Sequence, residues 1–151
     1  MRNHFNSRII QISVILLILI AGISPLTSSA ENLSDHIPEG YYLQNFMKVD
    51  LNQDGKTDYL LLTKSRSLEG IEENQFGQIV DRNRRGIIVL LKQDHGYHKV
   101  AENLTLFDSE FEDGGVYFAP DLWIYDDKDR ITFHYGHGRY GYWFYTFRLQ
   151  D

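Results

Sequence analysis

From residue 41 onward, apolar residues come in short runs broken by glycine, asparagine and aspartate, and no stretch sustains a helical period. Such runs over residues 41–49, 59–63, 86–91, 97–101, 122–125, 130–135 and 142–149 predict about seven β-strands. Two of them, Tyr59-Leu60-Leu61-Leu62 and Ile87-Ile88-Val89-Leu90-Leu91, are almost wholly apolar. That pattern marks strands covered on both faces, and so places them centrally in a sheet. Short polar turns at Gln93-Asp94-His95-Gly96, Asp126-Asp127-Lys128-Asp129 and residues 136–141 join neighbours as hairpins. The expectation is an all-β domain over residues 41–151, built as an antiparallel meander. Residues 65–85 are too long and polar for a hairpin turn and predict a mobile excursion or a short helix around 69–75.

The first thirty residues have a different pattern. Arg2 and Arg8 precede an apolar run from Ile9 to Ala21, and Ser28-Ser29-Ala30 supplies small residues for cleavage before Glu31. This predicts a signal peptide over 1–30 and a periplasmic or secreted chain. The alternative is a retained anchor, since residues 9–26 approach the length of a bilayer span; Gln11, Ser13 and Pro25 favour cleavage. Residues 31–40 read as a flexible leader. The chain stops at Asp151 directly after a strand, which leaves two readings open: a further strand from a partner chain, or a shortened reading frame. Oligomeric state is left open.

Charge and cysteine usage narrow the function. The whole chain has 15 basic and 21 acidic residues; removal of Arg2 and Arg8 leaves 13 against 21, a net charge of −8. An acidic domain repels polyanions, which excludes general nucleic-acid binding. No membrane association is expected after cleavage. With no cysteine the domain has no disulfide, although small exported domains often need a staple.

A candidate staple lies between the first two strands. Asp50, Asn52, Asp54 and Asp58 stand at positions 1, 3, 5 and 9 of a loop, with Gly55 at position 6 and Lys56 at position 7. Ca2+ takes six to eight oxygens at about 2.3–2.6 Å, and this spacing lets one tight loop supply several of them. Four side chains would contribute, and Lys56 would contribute its main-chain carbonyl. An EF-hand also needs glutamate at position 12, where this chain has Leu61 inside a strand. Aspartate at position 9 instead resembles the calcium loop of FG-GAP (integrin-type β-propeller) repeats, present here as a single copy. That resemblance implies a strand–loop–strand unit in which structural Ca2+ is held by Asp50, Asn52, Asp54, Lys56 and Asp58. The phenylalanine-glycine signature of full repeats is missing, so a whole propeller is not implied. The wider layout, with Asp81–Gly86 and Gly136–Trp143, resembles small exported bacterial proteins, which implies no activity. Alanine at Asp54 and Asp58 is expected to lower stability in calcium and leave the chelated protein almost unchanged.

A second cluster is His134, His137, Arg139, Tyr140 and Trp143, around a glycine-rich turn. It reads as a turn whose aromatics build the sheet, as a contact surface for an extracytoplasmic protein or glycan, or as acid–base machinery. His95 and His98 would have to join His134 and His137 to complete a zinc site. Arg82, Arg84 and Arg85 either dock an acidic partner or pair with nearby carboxylates. Glu110, Glu112 and Asp113 read as a solvated loop. Nucleophile elbows, Walker loops and dinucleotide glycines are absent. The reading is therefore an exported, calcium-stabilised binding domain; the alternative is a small periplasmic hydrolase, or a hydrolase inhibitor, using His134, His137 and Arg139.

Overall fold

In the computed structural model, residues 32–111, 121–136, 139 and 141–150 are described. The signal segment, Glu112, Asp113, His137 and Tyr140 lie outside them. Strand makes up 61% of the structure and no helix reaches seven residues, which establishes the all-β class. Nine strands form: β1 (Tyr41–Val49), β2 (Asp58–Ser65), β3 (Ile71–Glu73), β4 (Ile79–Asp81), β5 (Arg85–Gln93), β6 (Gly96–Phe107), β7 (Asp121–Asp127), β8 (Arg130–Gly136) and β9 (Tyr142–Arg148). They make an antiparallel sheet in the order β1-β2-β5-β6, a β7-β8-β9 sheet and a small β3-β4 ribbon.

The two apolar runs, β2 and β5, are indeed central. Leu60, Leu62 and Val89 face the β7-β8-β9 sheet and pack with Phe107, Ile131 and Phe133. Leu61, Ile88 and Leu90, on the other face, are fully buried. Their cover includes the segment expected as a flexible leader: Leu33–His36 forms a 3-10 turn, and Leu33 and Ile37 pack on this second cluster. A strand apolar on both faces needs cover on both, and the leader supplies part of it.

Two expectations are corrected. Residues 65–85 contain no α-helix: after a single 3-10 turn, Leu68–Gly70, they form the β3-β4 ribbon. The side-chain oxygen of Asn74 accepts the amides of Phe76 (2.9 Å) and Gln78 (3.0 Å), and Gly77 takes a left-handed φ of 75°, so turn chemistry overrides helical composition. β6 also runs six residues past the expected end at 101, to Phe107. Being an edge strand, it tolerates Glu102 and Asn103, which read in sequence as a stop.

The two large sheets stack face to face. Phe107 anchors the stack, with ring centroids 5.1 Å from Phe133 and 5.4 Å from Tyr135. Beside it the sheets enclose an apolar cleft of about 360 Å3, walled by Leu60, Val89, Phe133 and Phe147 among others.

Candidate functional site

The acidic loop joins β1 to β2, and Leu51 pins it by entering the inter-sheet core. Its polar side chains fold back on the loop's own amides. Asp50 accepts the N–H groups of Asp54 (3.1 Å) and Gly55 (3.0 Å). Asn52 accepts the Asp54 N–H as well (3.2 Å), and Asp54 accepts that of Lys56 (2.8 Å). Because Asp50 and Asn52 share one amide, their oxygens are held close together. Gln53 (φ 57°) and Gly55 (φ 80°) both adopt left-handed backbone, which the bend requires and which costs a non-glycine residue about 1–2 kcal/mol. The Lys56 ammonium is drawn off to Asp94 at 3.0 Å, away from the loop's carboxylates. A hydrogen bond from Lys56 holds the Asp94 carboxyl below its ordinary range, and the same bond raises the Lys56 ammonium.

Asp58 has a separate role. It is completely buried; one oxygen accepts the Leu51 N–H (2.9 Å) and the other the Lys92 N–H (2.8 Å). It thereby ties the loop to β5. Each carboxylate oxygen has a second lone pair, so Asp58 retains acceptor capacity. Among the described residues, no group of three Asp, Glu or His side chains stands ready to hold a metal. The oxygens of Asp50, Asn52 and Asp54 are engaged by the loop's own amides, and Asp58 is engaged as a brace.

The C-terminal cluster is divided by the sheet. His134 pairs with Trp123 and Phe144 across β7-β8-β9, on the outer face. Its ring lies 5.0 Å from that of Trp123 and stacks at 5.2 Å and 28° on Tyr142. Trp143 pairs instead with Tyr135 and stacks on it at 4.1 Å, on the face turned to the other sheet. Side chains alternate along a strand, so His134 and Trp143 cannot share one contact surface. Arg139 is exposed, and His95 and His98 are exposed on the β5–β6 hairpin.

What the sequence did not reveal is a row on the outer face: Trp123, His134, Tyr142 and Phe144, with Tyr125 one pair further along. Trp123, Tyr142 and Phe144 remain 51%, 68% and 56% exposed. Gly136 makes the row possible, since a Cβ there would stand 2.5 Å from the Trp123 ring. The signal was the alternation Trp123, Tyr125 against Tyr142, Phe144, which becomes readable once strand register is known.

The arginines pair with carboxylates: Arg82 with Glu72 (3.4 Å), Arg84 with Asp108, and Arg85 with Glu110 (3.7 Å). Glu110 corrects the solvated-loop expectation. Lys64 is fully buried directly opposite Arg85, and like charges facing each other across strands repel. Glu110 lies 3.0 Å from the Lys64 ammonium and accepts Gln44 Nε2 at 2.8 Å, with Asp81 3.4 Å from Lys64 on its other side. Two cations and two carboxylates balance, which is the arrangement of a structural ion cluster. Sequence could not suggest it, because Lys64, Asp81, Arg85 and Glu110 meet only in the fold.

No protein-family model, curated protein or solved structure matches this chain.

Proposed function

We propose that this chain is an exported carbohydrate-binding module whose outer aromatic row stacks on sugar rings. The carrying observation is three neighbouring rings, Trp123, His134 and Tyr142, in contact on a solvent-facing sheet. Exposed Trp and Tyr offer a large apolar face with a polar handle, which suits the C–H face of a pyranose and its hydroxyls. The described contacts of His134 are aromatic on both sides, which supports its place in a stacking surface.

The loop of residues 50–58 is proposed to take structural Ca2+ through Asp50, Asn52, Asp54, the Lys56 carbonyl and Asp58. Bound ion would neutralise the loop's carboxylates and stiffen the β1–β2 connection of a cysteine-free domain. The convergence of Asp50 and Asn52 on one amide supports this reading, as does the diversion of the Lys56 charge.

The binding test is a tryptophan-fluorescence titration with neutral hexasaccharides of glucose, xylose and N-acetylglucosamine. Saturable change is expected with at least one, weakened at least tenfold by Trp123→Ala and retained in Trp143→Phe. No saturable response to any of them, or equal loss in both variants, removes the proposal.

A further inference from the structure

We infer that two copies of this chain join through the free edge of β9, turning each three-stranded sheet into half of a continuous six-stranded one. β9 is the outermost strand in the order β7-β8-β9, so its far backbone edge has no strand partner among the described residues. Every residue of Tyr142–Arg148 is exposed, on both faces of the strand. Five of the seven are aromatic.

The other edges of the two large sheets carry bulges or charges, and this one carries far less. β1 carries a bulge between Leu43 and Asn45 and a lysine at Lys48. β6 carries Lys99 and Glu102 and is irregular in two places. β7 carries Asp121, Asp126 and Asp127. Bulges and charges are the usual devices that keep an edge from pairing. β9 has only Arg148, at its end.

The strand is also complementary to itself. Antiparallel pairing centred on Tyr145 sets Tyr145 against its own copy, Trp143 against Phe147, Phe144 against Thr146 and Tyr142 against Arg148. Residues paired this way keep the same face, so the register preserves the inner and outer surfaces of the sheet. The two Arg148 residues fall at opposite ends, each beside a tyrosine ring that can take a cation on its face. This is the two-fold, isologous contact expected of a homodimer.

At the exposures of Tyr142, Trp143, Phe144, Tyr145 and Phe147 (41–68%), and about 200 Å2 per aromatic side chain, these five leave on the order of 550 Å2 in water. Edge pairing covers the strand's backbone edge and the flanks of these rings, a part of this area and less than the roughly 800 Å2 per partner of a standard complex, which fits association at tens of micromolar. Tyr142 and Phe144 belong to both surfaces, so the pairing extends the outer aromatic row across the two-fold axis.

The chain has no cysteine, so one introduced thiol can form a disulfide only between copies. Tyr145→Cys, at the two-fold position, is expected to cross-link rapidly under mild oxidation, since directly opposed antiparallel residues lie about 4.5–5.5 Å apart at Cα, within disulfide range. Tyr125→Cys, on the opposite edge strand, is the control and should stay largely unlinked. By sedimentation equilibrium the unmodified chain should weigh twice its protomer mass at tens of micromolar, and Tyr145→Lys one protomer mass with unchanged circular dichroism. A monomeric unmodified chain, equal cross-linking at both positions, or a dimer that survives Tyr145→Lys overturns the inference.

Discussion

Asp58→Ala separates the two roles assigned to the acidic loop. The substitution removes a carboxylate that is fully buried and accepts two main-chain amides, from Leu51 at 2.9 Å and Lys92 at 2.8 Å. A hydrogen bond to a charged group contributes about 1.5–3 kcal/mol, and buried amides left without acceptors add to the loss. Relief from burying the charge offsets part of this, leaving a net cost of about 3 kcal/mol. For a domain of this size about 4 °C of Tm accompanies each kcal/mol, so the midpoint should fall by about 12 °C. Asp58→Asn keeps one acceptor oxygen and should lose about half as much. The assay is thermal unfolding by circular dichroism, in excess chelator and again in millimolar calcium. Because the brace needs no ion, the Asp58→Ala loss should appear in chelator too, which revises the expectation from sequence that chelated protein would be indifferent. A midpoint in chelator within about 3 °C of the unmodified chain refutes the brace. Asp54→Ala tests the ion itself, since Asp54 is exposed and bonds only within the loop. It should cost under about 1 kcal/mol in chelator yet abolish the calcium increment, which is about 2.7 kcal/mol at a hundredfold excess over Kd. An unmodified chain with the same midpoint in both buffers ends the calcium proposal.

Lys64→Met strips the central cation from Asp81 and Glu110; removing one member of a buried pair costs about 3–5 kcal/mol, and the partial exposure of both carboxylates reduces this to about 2–3 kcal/mol, readable by urea unfolding. Glu110→Gln in the same background should recover part of the loss, and no recovery would argue against the cluster. Gly136→Ala places a Cβ 2.5 Å from Trp123 and should displace that ring, shifting tryptophan emission and weakening sugar binding about tenfold while β8 stays paired; unchanged emission would show that the ring needs no such gap. Burial pushes the Tyr135 hydroxyl well above the ordinary tyrosine range. A folded value above the unfolded one means this stability is complete below about pH 10 and lost as pH rises further. Tyr135→Phe should therefore flatten the alkaline limb of a stability–pH curve, and an unaltered limb would assign it to other groups.

Much of the architecture was legible in linear order because it depends on local pattern. Near-continuous apolar runs identify β2 and β5 as doubly covered strands, and their place at the centre of the sheet follows from the need to keep both faces from water. The β3-β4 ribbon was not legible, since three-residue strands carry too little periodicity and Asn74 closes the turn by a side-chain bond. The acidic loop was recognisable from spacing, but the duty of Asp58 was not: one of its two partners, the Lys92 amide, is 34 residues away.

Composition and periodicity alone determined the β class, the acidic charge, the lack of disulfides and the position of the oxygen-rich bend. Only the tertiary structure decided which aromatics share a face. A strand sends successive side chains to opposite sides, so Trp143 went inward onto Tyr135 while His134 joined Trp123 outside. Register is a property of pairs of strands, and it settles in the folded sheet, where long-range partners and the stacking of two layers determine which face is buried.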